Sequence, residues 1–172
     1  MEYIDIYTSE RKLTGVQKIK GSPLNDDEFI LIAHLVIFNS RGEMLIQKRK
    51  EDKKDWPGCW DITSGGGVRA GESSFEGALR EVSEELGISV SLEDTRPLFT
   101  ICYPIGFDDY YIITKDISLD EITIQPEEVT DVRWASYDEI SEMAKNKSFV
   151  QYRKGFIDML FSMKNGRGSY DV

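Results

Sequence analysis

The stretch SSFEGALREVSEELG, from Ser73 to Gly87, restricts the fold of this chain more than any other. Ser73 followed three residues later by Glu76 is a capping-box pattern, so a helix opens here. Gly87 supplies the residue at which the backbone turns left-handed after a last helical turn. Between them Phe75, Leu79, Val82 and Leu86 fall in one narrow stripe at 100° per residue, so this face packs on a sheet. Two local rules are broken on the edge beside that stripe. Glu81 and Glu85 stand one turn apart with Glu84 a step further round, and like charges at that spacing cost about a few tenths of a kcal/mol. Gly77, one turn before Glu81, costs up to roughly 1 kcal/mol against Ala in a helix interior. Conflicts of this kind gather where a surface serves a function.

The sheet this helix needs is found on both sides of it. Tyr3 to Tyr7 and Val16 to Lys20 read as the arms of an N-terminal hairpin, followed by the loop SPLNDDE. Phe29 to Phe38 is a largely buried strand that turns through Asn39-Ser40-Arg41-Gly42 into Glu43 to Arg49, a second hairpin. In the returning strand Leu45, Gln47 and Arg49 share one face, because side chains alternate. Trp60 to Thr63 has strand composition ahead of a glycine-rich turn at Gly65, Gly66 and Gly67. Leu98 to Tyr103, Tyr110 to Thr114 and the short Val132 to Trp134 are further strands. Ser136 with Glu139 is a second capping box, and Gln151 to Met163 an amphipathic helix. Strands and helices mixed without a regular βαβ repeat place the chain in the α/β class, a mixed sheet held between helices. At 172 residues it forms one domain. The expected parts are a hairpin extension over 1–25, a core over 26–165 and a loose tail over 166–172.

Composition narrows the chemistry. The net charge of -10 argues against broad contact with a nucleic-acid polymer or an anionic membrane. Apolar runs such as FILIAHLVIF end before the roughly 20 residues needed to span a bilayer, and MEYIDIYTSERK reads as neither secretory signal nor transit peptide. A cytoplasmic location is the expectation. Cys59 and Cys102 are too far apart in sequence for a redox or zinc knuckle and read as free thiols. His34, the single histidine, lies inside the apolar run and reads as a partly buried strand residue, which argues against a zinc site or a histidine-based triad.

An acidic protein that takes an anionic ligand needs positive charge from elsewhere, and a bound cation supplies it. Clustered carboxylate oxygens suit Mg²⁺, which takes one or two carboxylates, keeps waters and completes its shell with substrate phosphates. In that reading the glycine-rich approach lets backbone and ligand come close, and the missing side chain at Gly77 leaves room for substrate. The alternative is a solvated acidic face with Glu76 and Arg80 as an ordinary i,i+4 pair.

Gly66, five residues, Glu72, seven residues, then Arg80-Glu81-Val82-Ser83-Glu84-Glu85-Leu86-Gly87-Ile88 resembles the Nudix box, G-x5-E-x7-R-E-U-x-E-E-x-G-U with U apolar, at every fixed position. The resemblance implies the Nudix fold, an α/β/α sandwich around a mixed β-sheet, here with the N-terminal hairpin as an extension. It also implies Mg²⁺-dependent cleavage of a diphosphate joined to another moiety X, with Mn²⁺ as a substitute and a small-molecule diphosphate as partner to a monomer or homodimer. Carried over by position, Glu81, Glu84 and Glu85 would be metal ligands. Arg80 would orient them through Glu72, and Gly66 and Gly87 would be structural, with Gly66 lining the substrate's approach. The base that takes the water's proton would be a box glutamate or a residue of the late loop QPEEV, Glu127 or Glu128. Arg49 resembles the basic residue that reaches a substrate phosphate.

WPGCW also resembles isopentenyl-diphosphate isomerases, which share the fold. Aligned on them, Gly65 and Gly67 stand where their catalytic cysteine and metal-binding histidine belong, so a hydrolase is expected rather than an isomerase. A non-catalytic nucleotide-sensing module is the rival of another class, although such modules lose box glutamates and this chain keeps them. Trp56, Trp60, Phe107, Tyr110 and Tyr111 could stack a base. Pro104 lies near the spacing of ADP-ribose hydrolases, which makes ADP-ribose or another nucleoside diphosphate derivative the leading substrate class.

Overall fold

The computed structural model describes residues 1–91, 95–166 and 168. Alternation along β3 (Ile30–Phe38) divides the molecule. Leu31, Ala33, Leu35 and Ile37 enter one core together with Ala78, Val82 and Leu86 of helix α1 (Ser74–Leu86). Val36 and Phe38 enter a second core with Ile140 and Met143 of α2 (Tyr137–Lys145) and Phe156 and Leu160 of α3 (Phe156–Ser162). The expected sandwich is therefore formed, one helix on one face and two on the other.

Among the described residues, seven strands make the mixed sheet. Its spine runs β5 (Trp60–Asp61), β4 (Met44–Arg49), β3, β8 (Gly106–Thr114), β7 (Phe99–Tyr103). The β3–β8 pair is parallel from Ile30↔Gly106 to Phe38↔Thr114, while β7 pairs with β8 and β9 (Val129–Ala135) with β4 in antiparallel fashion. The hairpin of β1 (Tyr3–Tyr7) and β2 (Leu13–Ile19) forms its own two-stranded sheet, joined to the core by a bridge from Tyr7 to Phe29.

Three expectations need correction. The turn after β3 closes as read, with Gly42 at φ +80, but β3 and β4 pair only at Phe38↔Met44 and then part. Thr63 fills the gap: its hydroxyl accepts from Ile37 N at 2.9 Å and donates to Leu45 O at 2.6 Å, replacing a lost rung. The glycines are not a turn. Ser64–Gly67 is strand β6, antiparallel to β3 from Ile32↔Gly67 to Leu35↔Ser64, and the turn follows at 68–72 with Gly71 at φ +83. The last helix begins at Phe156 rather than Gln151, because residues 148–150 are spent on Trp60 (Trp60 N to Ser148 O and Val150 N to Trp60 O, both 2.8 Å) and Gly155 is left-handed at φ +86. The tail expected over 166–172 lies outside the described residues apart from Gly166 and Gly168. No helix among the described residues is long and apolar enough to cross a membrane.

Candidate active site

Helix α1 starts and stops as its sequence dictates. Ser73 Oγ accepts from Glu76 N, the Glu76 side chain accepts from Ser73 N, and Gly87 adopts φ +67. Its buried face is turned slightly from the expected stripe. Ala78 goes under in place of Leu79, and that rotation carries Glu81 and Glu85 inward, each 8% exposed. Glu84 stays outside. Glu76 is occupied by its cap, so it makes no pair with Arg80.

Arg80 instead organises the acids. Its Nε and Nη2 donate to Glu72 Oε1 and Oε2 at 2.8 and 3.0 Å, its Nη1 to Glu81 Oε1 at 2.8 Å and Glu84 Oε2 at 3.2 Å, and Nη2 also to Gly67 O at 3.0 Å. Five contacts in one plane are what a guanidinium fork can satisfy and a lysine cannot. Gly66 lies directly against Glu81, and a Cβ there would overlap its carboxylate. Gly77, by contrast, opens no room for a ligand. It is buried, and a Cβ on it would meet Val68 Cγ2 at 3.0 Å, so its absent side chain lets α1 sit close to the turn.

Glu85 lies deeper, over the sheet. Gln47 Nε2 donates to Glu85 Oε2 at 3.0 Å. Burial pushes the Glu85 carboxyl up to about 7, with Glu81 adding to the rise, while Ser64 and Gln47 oppose it. The Ser64 hydroxyl faces Glu85 without meeting hydrogen-bond geometry, and Ser64 Oγ and Gln47 Oε1 are both buried with no partner. Orphaned oxygens beside an under-supplied carboxylate are unusual in a folded interior.

The surroundings bring both signs of charge. Asp61 pairs with Gln47 across β4 and β5 and accepts from Tyr152 OH at 2.6 Å, Arg49 Nη1 at 3.2 Å and Ile62 N at 2.9 Å. Arg49 is held further by Asp55 O, at 3.0 and 3.2 Å, and keeps a quarter of its side chain exposed. The loop bearing Glu127 and Glu128 is fastened to the end of α1 by Gln125 N to Glu85 O at 2.9 Å. Glu128 pairs with Lys53, and Glu127 is exposed. Gln47, Ser64, Asp61 and Tyr152 escape a reading of sequence alone, although a lone glutamine inside the run MLIQKR already signals a buried polar group.

Other expectations resolve plainly. Phe107, Tyr110 and Tyr111 are buried, Tyr110 between His34 and Phe99 at ring distances of 4.5 and 4.8 Å, so none is open to a base. Trp60 lies under Arg133, and Trp56 is exposed. Pro104 sits in the turn joining β7 to β8. Cys59 and Cys102 are free thiols, and His34 is a half-buried strand residue. A Cβ on Gly65 would run into the His34 imidazole, and one on Gly67 would meet Lys20 Cε at 3.3 Å.

Among the described residues no three His, Cys, Asp or Glu side chains converge into a closed cation cage. At Glu84 both oxygens are taken by Arg69, at 2.8 and 3.0 Å. Glu81 and Glu85 nevertheless offer hard oxygen donors, with the Gln47 and Ser64 oxygens alongside. That set fits Mg²⁺, which needs only one or two carboxylates when water and phosphate complete its shell.

Known proteins resemble this chain over most of its length. The chain is 42% identical over 165 residues, 96% of either chain, to an uncharacterized Nudix hydrolase of Listeria monocytogenes. It is 32% identical over 141 residues, 76% of this chain and 74% of the other, to an isopentenyl-diphosphate Delta-isomerase of Pectobacterium atrosepticum. The crystal structure of a Deinococcus radiodurans protein superposes with a TM-score of 0.69 over 92% of this chain and 97% of that one, at 20% identity, a likeness of fold alone. The NUDIX domain itself matches residues 29–158, from the first core strand to the last helix, and the chain belongs to the Nudix hydrolase family.

Proposed function

We propose that the protein hydrolyses a diphosphate bond in a nucleoside diphosphate linked to a second moiety, using Mg²⁺ or Mn²⁺ held by Glu81 and Glu85. The observation that carries this reading is Glu85, a carboxylate buried with one amide donor and two orphaned oxygens beside it. When bound, the ion would screen the diphosphate charge and stabilise the departing phosphate. The protein's own groups do the positioning. Gln47 fixes the Glu85 plane, Arg80 fixes Glu81 against Glu72, and Gly66 leaves the Glu81 carboxylate its space. Arg49, whose side chain is a quarter exposed, would meet a substrate phosphate by exchanging a bond to Asp55 O or Asp61. The base that takes a proton from the attacking water would be a box glutamate or, from the loop fastened to the end of α1, Glu127 or Glu128.

Hydrolysis is favoured over isomerisation by position 65, where a cysteine side chain has no space unless His34 moves. The test is a panel of ADP-ribose, other nucleoside diphosphate derivatives, nucleoside triphosphates and isopentenyl diphosphate with Mg²⁺ or Mn²⁺, products identified, and Glu85→Gln run in parallel. Phosphate-containing products that vanish in the variant support the reading. Tight binding without any product would make the protein a sensor, and an isomerised diphosphate would make it an isomerase.

A further inference from the structure

We propose that Arg69 is a positioning residue that holds Glu84 out of the cation's shell, and that the N-terminal hairpin sets the strength of that hold through Glu2. The proposal rests on the reading that Glu81 and Glu85 hold a divalent cation.

Three box glutamates leave α1 on neighbouring edges, yet only two turn inward. Glu84 is 40% exposed on its side chain, and both of its oxygens are taken by the Arg69 fork, with Arg80 adding a third contact at 3.2 Å. A two-bond guanidinium–carboxylate pair is directional as well as attractive. For Glu84 to turn toward a cation, at least one of these bonds must be exchanged, and the Arg69 charge itself opposes the ion. Arg69 also shares its charge with a second carboxylate: its Nε donates to Glu2, which in turn pairs with Lys20 at 2.8 Å. Glu2 precedes β1, and β1 is laid along the turn that carries Arg69, with Ala70 N donating to Tyr3 O at 2.8 Å and Gly71 N to Asp5 Oδ2 at 2.7 Å. At its far end the hairpin is pinned by Arg11 on Asp109. The extension outside the matched domain is thus wired by a continuous chain, Lys20 to Glu2 to Arg69 to Glu84, into the acidic helix.

The two ends of that chain predict effects of opposite sign. Removing the Arg69 charge frees Glu84, whereas removing the Glu2 charge leaves Arg69 with Glu84 alone. The experiment is titration of the metal-free full chain with Mn²⁺, reading unbound Mn²⁺ by electron paramagnetic resonance. Arg69→Gln is expected to bind Mn²⁺ roughly threefold more tightly than wild type and Glu2→Gln roughly twofold more weakly, the scale of half-exposed charge pairs. Arg69→Lys, which keeps the charge but cannot fork, should fall between wild type and Arg69→Gln, and it serves as the folded reference if the glutamine variant is unstable. Unchanged or weaker binding in Arg69→Gln, or in Arg69→Lys if that reference must be used, overturns the proposal. Glu85→Gln separates the two layers: if it binds Mn²⁺ as wild type does, the cation site itself is misplaced, and the proposal falls with it. If it loses binding while the Arg69 variants fail to tighten it, the site stands and only the role of Arg69 is wrong.

Discussion

Asp109 and Glu85, two of the buried carboxylates that lie on helix α1 or contact it, are treated in opposite ways. Asp109, on β8 and wholly buried, accepts from Arg11 Nη1 at 2.8 Å, from Thr100 Oγ1 at 2.6 Å and from Ser74 Oγ at the start of α1, with the second Arg11 nitrogen closing the fork. Glu85, at the other end of the same helix, has one amide donor and two partnerless oxygens for neighbours. A charge that has all its donors is an anchor, here holding the hairpin tip, the sheet and the helix start together. A charge left short of donors carries an energetic deficit that a ligand can relieve.

The comparison can be broken in several ways. Asp109→Ala should cost roughly 3 kcal/mol of folding stability, the low end for a broken buried pair because Arg11 is one-third exposed and can turn to water. Denaturant unfolding measures it, and a cost below about 1 kcal/mol would deny Asp109 its anchoring role. Glu85→Gln should instead lower turnover at least roughly 10²-fold while leaving the far-ultraviolet circular dichroism unchanged. Near wild-type rates at saturating Mg²⁺ would contradict the site assignment.

The pH response should separate the two groups next. Because the folded Glu85 carboxyl is raised from 4.5 to about 7, its neutral form favours the fold. That contribution is present below the unfolded value and is lost as pH rises through about 7. Metal-free wild type should therefore lose on the order of 2 kcal/mol between pH 5 and pH 8 relative to Glu85→Gln. Mg²⁺ at pH 8 should restore part of the difference, and parallel melting curves for the two proteins would rule this out. The smallest effect is expected at the helix cap, where Ser73→Ala should cost about 1 kcal/mol by loss of the bond to Glu76 N. Thermal melting reads that change, and turnover should stay near wild type wherever the protein is folded.

Much of this is legible in the sequence. The caps at Ser73 and Gly87, the crowding of Glu81, Glu84 and Glu85, and the alternation of β3 are local patterns, and each appears where its spacing puts it. The glycines of β6 read as a turn because their own propensity favours one, whereas pairing with β3 demands residues small enough to let Glu81 and His34 approach. Arg49 reads as free for substrate until Asp61 and Asp55 O are seen to hold it. Glu84 reads as a third ligand, one step further round than Glu81 and Glu85, until the small rotation of α1 and the Arg69 fork set it apart.

The helix, its ends, the chemical type of its acidic edge and the family to which that spacing belongs are local properties, each written within some twenty consecutive residues. Which acid is buried, which is parked and what surrounds them follow from long-range packing. Gln47 meets Glu85 across 38 residues, and Arg11 meets Asp109 across 98. Contacts over such separations depend on how strands pair and how far a helix rolls on its sheet, and no local pattern encodes either.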